Sequence, residues 1–147
     1  MRSNPLQTLP LWLGAVWAVS LTVLGAFVVP MLFMFLPSPA LAGAMAARLF
    51  SVQTVVSISC AVGLLMCLRS PQFGVPSHAA GTLSVWLLAG ALLALWVELA
   101  VAPRIVARDN LALWHRVGSA MYLVQWVCAL VTFQRLAQLR SASVSSR

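Results

Sequence analysis

Four long apolar stretches, nearly free of ionisable groups, constrain this chain more than any other feature. The 147 residues are 62% hydrophobic and only 7% charged, whereas soluble domains are about 25% charged. A soluble protein with this composition would have too few polar side chains to cover its surface, so the solvent must be lipid. The pattern predicts an all-α fold, an integral membrane four-helix bundle, with residues 1–147 forming a single transmembrane domain.

The apolar stretches predict four membrane spans, at residues 11–36, 44–68, 79–102 and 111–136. Each is long enough, at about 1.5 Å per residue, to cross a hydrocarbon core about 30 Å thick. Proline predicts a kink at Pro30 and the end of the third span at Pro103. Asp109 or Asn110 is a predicted cap of the fourth helix. The Ser- and Arg-rich tail at 137–147 is predicted to be disordered.

The net charge of +7 comes from nine arginines and no lysine. These arginines are scattered through short connections and do not form a basic stripe, which argues against nucleic acid as a partner. They are typical of topology signals and of contacts with phospholipid headgroups. The lipid bilayer is therefore the one partner that composition predicts.

An even number of spans places both termini on the same side of the membrane. The arginines on that side are Arg2, Arg69, Arg135, Arg140 and Arg147, and those on the other are Arg48, Arg104, Arg108 and Arg116. Positive charge is enriched on the cytoplasmic side of membrane proteins. The five-to-four difference predicts cytoplasmic termini, in a multi-pass protein of a bacterial inner (plasma) membrane.

One polar cluster stands out because the spans alternate in direction. The start of the second span, the end of the third and the start of the fourth meet at one membrane face, which carries the only acid within a span, Glu98. The candidate site residues are Arg48, Glu98, Arg104, His115, Arg116, Ser119 and Tyr122. Because a lone acid in a membrane is costly, we expect Glu98 to pair with an arginine or to accept a hydrogen bond from His115 or Tyr122.

Helical spacing places some of these residues on shared faces. One predicted stripe on the fourth span consists of His115, Gly118, Ser119, Tyr122, Gln125 and Trp126. In the third span Gly90, Ala94 and Glu98 are four apart, and small residues mark close helix contacts. Glu98 is therefore expected to point into the bundle. It would either lock the helices together or handle protons or a ligand.

The residues that most often bind cofactors and metals are sparse. His78 and His115 flank opposite ends of the third span, so they are predicted at opposite membrane faces. The three cysteines include no Cys-x-x-Cys pair and are expected to pack as small apolar residues. We therefore expect no cofactor and no metal site.

Three sets of residues carry a family resemblance. They are Trp114 to Tyr122 at the start of the last span, Trp12-Leu13-Gly14 with Val29 to Phe33 in the first, and Ala42-Gly43 with Arg48-Leu49-Phe50 in the second. Together they resemble the transmembrane protein 205-like family, catalogued as domain of unknown function 4149, over nearly the whole chain. The resemblance implies four membrane helices and no established activity.

A more distant likeness is to the copper-resistance-D-like membrane superfamily. That group includes a bacterial haem-binding protoporphyrinogen oxidase with histidine ligands. This chain departs from the pattern because its first span has no histidine and its two histidines are predicted at opposite faces.

Three functions are open as hypotheses. The first is a non-enzymatic helical bundle that acts in assembly, as a homo-oligomer or with a membrane-protein partner, or in the passage of a small solute. The second is a membrane haem or redox protein, suggested by His115, Tyr122 and the distant likeness. The third is a subunit of a proton-coupled transporter that uses Glu98.

Overall fold

Four long helices make up most of the computed structural model, which describes residues 5–107 and 110–145. They are α1 (Leu6–Phe35), α2 (Pro39–Arg69), α3 (Ser77–Val106) and α4 (Leu111–Ser145). All four are long and apolar enough to cross a membrane, and the described residues form no strand. The predicted all-α four-helix membrane bundle is confirmed. Arg2, Arg108 and Arg147 of the charge count, and the predicted cap Asp109, lie outside the described residues.

The helices extend beyond the predicted spans. About 30 residues make a helix roughly 45 Å long, which exceeds the hydrocarbon core. Helix α2 begins at Pro39, five residues earlier than predicted, because two local features favour a start there. Ser38 accepts a hydrogen bond of 3.3 Å from the Leu41 N–H, and Pro39 occupies the first turn, where its missing N–H costs nothing.

The prediction of a disordered tail is wrong for most of that segment. Helix α4 continues without a break to Ser145. Leu136 is buried and Leu139 packs against the core, so the tail's first turn belongs to the bundle. The Arg140 guanidinium donates a 3.0 Å hydrogen bond to the Gln7 carbonyl at the start of α1. Ala, Gln, Leu and Arg also have high helix propensity, so the serines alone do not end the helix.

Pro30 and Pro103 each follow a π-helical turn. The turn at Leu24–Val28 precedes Pro30 in α1, and the turn at Val97–Val101 precedes Pro103 in α3. A proline ring collides with the carbonyl four residues earlier, and the wider turn moves that carbonyl away. The sequence predicted that the third helix ends at Pro103. This prediction is wrong, because α3 continues to Val106.

The four helices pack in a square, in which α1 contacts α2 and α4, and α3 contacts α2 and α4. Across the centre of the square, Gly90 of α3 packs tightly against the fully buried Trp17 of α1. A Cβ on Gly90 would lie 2.6 Å from the Trp17 ring, so only glycine fits there. Within the described part of the chain, the Trp17 indole N–H has no acceptor.

Large apolar side chains cover the outside of the bundle. Trp12, Val55 and Leu92 are 66%, 66% and 64% exposed, on three different helices. Four polar residues are instead buried inside, namely Gln53, Ser57, Gln125 and Thr132. An apolar exterior around buried polar groups is stable in lipid and not in water. The chain is a multi-pass membrane protein.

Candidate functional site between the helices

A network of polar side chains lies in the middle of the bundle, at Ser20, Gln53, Ser57 and Gln125, which we call the central polar cluster. The Gln53 side-chain amide donates to the Ser20 hydroxyl over 3.0 Å and to the Ser57 hydroxyl over 3.3 Å. The Gln125 amide donates to the same Ser57 hydroxyl over 3.0 Å. Ser57 is fully buried and accepts from both glutamines, so its hydroxyl joins α2 to α4.

A second set of hydrogen bonds joins α4 to α1. The Tyr122 hydroxyl donates to the Leu21 carbonyl over 2.6 Å, and the Trp126 indole N–H donates to the Thr22 hydroxyl over 2.8 Å. Thr22 in turn donates to the Ala18 carbonyl. A Cβ on Gly25 would lie 2.8 Å from the Tyr122 ring, so glycine there lets Tyr122 reach α1.

Tyr122 also contacts α2. Its ring meets the ring of Phe50 edge to face, with centroids 5.3 Å apart and planes at 75°. Tyr122 therefore contacts both α1 and α2. Its hydroxyl donates to the Leu21 carbonyl and not to Glu98.

Glu98 lies on the π-helical turn of α3, in the groove between α2 and α3. Its carboxylate accepts a 2.8 Å hydrogen bond from the Ser51 hydroxyl of α2. Ser51 also lies 3.3 Å from the Ala47 carbonyl, but its single proton favours the shorter bond to the charged acceptor. Ala47 and Leu99, beside this pair, are exposed. We call Ala47, Ser51, Glu98 and Leu99 the Glu98 seam.

The predicted partners of Glu98 are wrong. No arginine in the described part of the chain forms an ion pair with Glu98, and neither His115 nor Tyr122 donates to it. Gly90 and Ala94 are buried as their spacing predicted. Glu98 is the second residue of the π-helical turn that starts at Val97, where the regular α-helical spacing no longer holds. Its side chain is half-buried, and its carboxylate meets the Ser51 hydroxyl of α2 and not the bundle interior.

The other candidate residues lie on the outside. Exposed side chains belong to Arg48, Arg104, His115, Arg116 and Ser119. The Arg104 guanidinium stacks on the Trp114 ring, 4.2 Å from the centroid, which places its charge on an aromatic face. The structure therefore divides the predicted cluster: Tyr122 enters the bundle, Glu98 lies at the seam, and the remaining five face outwards.

The sequence interpretation missed three important residues of α2, namely Ser51, Gln53 and Ser57. A signal was present, because Gln53 and Ser57 are four apart and continue into the buried Cys60 and Leu64 on the same face. Polar residues within a membrane span usually face the bundle interior. That rule, applied to uncharged residues, would have found Gln53 and Ser57.

Metal-binding side chains do not converge in the part of the chain that the structure describes. Residues 5–107 and 110–145 contain no group of three His, Cys, Asp or Glu that could hold an ion. His78 begins α3 and His115 follows the start of α4, so the antiparallel bundle separates them by its length. All three cysteines are buried thiols on the inner faces of α2 and α4.

Comparison with known proteins identifies a family for most of the chain. The family model described as "Domain of unknown function (DUF4149)" matches residues 8–113, which is more than half of the chain. The match covers α1 to α3 and stops before the Trp114 to Tyr122 motif. No curated protein and no solved structure matches the chain. This chain therefore belongs to the DUF4149 family, a domain of unknown function.

Proposed function

We propose that this protein is a non-enzymatic membrane bundle whose function is assembly with a second copy of itself. The observation that carries the proposal is the position of Glu98. Its carboxylate lies at the lipid-facing seam and accepts a hydrogen bond only from the neutral Ser51 hydroxyl, among the residues described. A charged group within a span costs about 2.5–3.5 kcal/mol at mid-membrane. One hydrogen bond to a charged group offsets roughly 1.5–3 kcal/mol of that cost, and among the residues described it reaches only one of the two carboxylate oxygens.

A second copy supplies the cation that the seam lacks. Arg48 is exposed on α2, one turn from Ser51 towards the same end of the bundle. In a dimer with two-fold symmetry, the same surface meets itself, so Glu98 of each copy faces the region of Arg48 on the other. Two reciprocal ion pairs would then form at the interface, where lipid strengthens them.

The outer face of α2 suits close contact with another helix. Ala40, Ala44 and Ala47 are exposed on one side of it, and a Cβ added to the neighbouring Gly43 would have no atom within 4 Å. Small residues let two membrane helices approach until their backbones touch. This stripe runs into the Glu98 seam at Ala47.

The interior supports assembly more than passage of a solute through one copy. Trp17 packs onto Gly90 at the centre, and the central polar cluster is hydrogen-bonded within itself. A small solute would therefore pass between copies. Enzymatic activity is not part of the proposal, because the polar groups inside the bundle bond to one another and do not converge on a shared space for a substrate.

Family likeness and topology complete the proposed assignment. The quoted motifs support a likeness to the transmembrane protein 205-like family, and the more distant likeness to the copper-resistance-D-like superfamily stays a proposal that no motif carries. The five-to-four arginine count supports cytoplasmic termini in a bacterial inner membrane. A haem or redox role is the first alternative, and a Soret band in the absorption spectrum of the purified protein would favour it over assembly.

Charge reversal tests the dimer. Arg48→Glu and Glu98→Arg should each weaken self-association in lipid nanodiscs or liposomes by about tenfold, which corresponds to about 1.4 kcal/mol. The double variant restores opposite charges and should recover the dimer. Arg116→Glu is the matched control, because Arg116 is exposed at the same end of the bundle but on α4. Subunits are counted by single-molecule photobleaching.

Two results would count against the proposal. The wild-type protein could stay monomeric at every protein-to-lipid ratio, or the reversals at Arg48 and Glu98 could have no more effect than Arg116→Glu. A third result favours the proton-coupled alternative: Glu98→Gln leaves the dimer intact and abolishes the protein's cellular phenotype.

A further inference from the structure

A cavity of about 160 Å³ opens at the end of the bundle that carries both chain termini. Its walls come from the start of α1, the connection between α2 and α3, and the end of α4. The polar wall is formed by Gln7 and Arg140, and the apolar wall includes Leu11, Phe73 and Leu139. A single water needs about 10–15 Å³ by a comparable measure, so the cavity has room for a larger polar group.

Arg140 is held in place at this cavity. Its guanidinium donates from Nη1 to the Gln7 carbonyl over 3.0 Å, and the side chain is half-buried. Arginine presents five N–H donors in a planar fork that matches the oxygens of a phosphate. The backbone contact therefore orients the fork before any ligand arrives, which lowers the entropy cost of binding.

The charge of this end of the bundle favours an anion. Arg69 ends α2, and Arg140 lies in the last turns of α4 at the same end of the bundle. The two acidic side chains of the sequence belong elsewhere, since Glu98 is in the seam near the other end and Asp109 follows α3 in the sequence. A positive surface at a membrane interface attracts anionic lipid headgroups.

The depth of the cavity matches the headgroup layer. Trp12, adjacent to the cavity residue Leu11, is 66% exposed, and exposed tryptophan is typical of the membrane–water interface. A second, more open cavity shares Leu11 and Arg140 and includes Ala137 of α4. Arg140 thus lines both cavities, where α1 and α4 meet.

The geometry points to a binding site for the phosphate group of an anionic phospholipid, formed by Arg140 and Gln7. The phosphate would occupy the cavity, and the acyl chains would lie outside it along the apolar surface of α1 and α4. This site is separate from the Glu98 seam, which is near the opposite end, so either proposal can fail without the other.

The test compares lipids and two matched arginine variants in the full-length protein purified in detergent. Added phosphatidylglycerol should raise the melting temperature more than zwitterionic phosphatidylcholine, and native mass spectrometry should detect phosphatidylglycerol adducts. Arg140→Gln should weaken phosphatidylglycerol binding by at least about tenfold, the range of a lost charged hydrogen bond. Arg135→Gln should retain binding, because Arg135 is exposed on the same helix and does not line the cavity.

A second variant tests the cavity without changing Arg140, in case Arg140→Gln does not fold. Val75→Trp fills the cavity from the connecting segment and keeps Arg140, so it should also weaken phosphatidylglycerol binding. Equal responses to the two lipids, or equal losses in Arg135→Gln and Arg140→Gln, would overturn the proposal. Inorganic phosphate alone is the last arm. If it gives the same thermal shift as the lipid, the site binds free phosphate and the lipid assignment is wrong.

Discussion

The Ser51 hydroxyl of α2 lies 2.8 Å from a carboxylate oxygen of Glu98, on the π-helical turn of α3. This bond crosses between two helices at a point where their neighbouring side chains face the lipid. It is the single hydrogen bond that the described structure gives to the one acid within a membrane helix. It also sets the position from which Glu98 could meet another subunit.

Ser51→Ala removes the one hydrogen bond that the described residues donate to the Glu98 carboxylate. We expect the free energy of unfolding to fall by about 1 kcal/mol, because hydrogen bonds between membrane helices average roughly 0.6 and reach about 1.7 kcal/mol. Glu98→Gln should cost less, since the amide oxygen still accepts from Ser51. Ser59→Ala, at an exposed position of the same helix, is the control. Thermal unfolding in detergent, followed by circular dichroism, would contradict the bond if Ser51→Ala matched Ser59→Ala.

Ser57→Ala removes the acceptor that Gln53 and Gln125 share. Two buried amide donors then lose a partner at once, so we expect a loss of about 1–3 kcal/mol. Ser84→Ala is the matched control, because the Ser84 hydroxyl bonds only to the Ala80 carbonyl of its own helix. Steric trapping or chemical unfolding in mixed micelles measures the difference. Equal costs for the two serines would mean that the central polar cluster does not join the helices.

Gly90→Ala places a Cβ 2.6 Å from the Trp17 ring. Trp17 is fully buried and cannot move aside, so we expect a loss of about 1–3 kcal/mol from overpacking. Gly81→Ala provides the control on the same helix, because nothing lies within 4 Å of its added Cβ. It should be neutral, or stabilising by up to about 1 kcal/mol through helix propensity. Similar melting temperatures for the two variants would show that α1 and α3 approach less closely than this distance requires.

Topology can be tested without any substitution. A fluorescent reporter that folds only in the cytoplasm, fused after Arg147, should give a signal, because the arginine count favours cytoplasmic termini. The matched fusion carries a periplasm-active enzyme at the same position and should be inactive. The reverse result would place both termini outside and would leave the four helices unchanged.

The number of helices, their membrane setting and the class of fold are all readable from the amino-acid sequence. These properties depend on sums over neighbouring residues along the chain. Twenty or more apolar residues in a row specify a membrane helix whatever surrounds them. Pro30 and Pro103 also mark the places where α1 and α3 depart from regular α-helical geometry. Pro103 was predicted to end its helix, but it lies within a continuous one.

The pairing of side chains between helices depends instead on how the helices pack. A regular 3–4 spacing carries Gly90 and Ala94 to the inside, but it does not extend to Glu98, which lies within the π-helical turn that starts at Val97. Similarly, the contacts of Leu136 and Arg140 with α1 extend α4 through a segment whose serines predict disorder. Spacing along a helix defines faces relative to its own axis. The rotation of each helix against its neighbours comes from close contacts such as Gly90 with Trp17, between residues far apart in sequence.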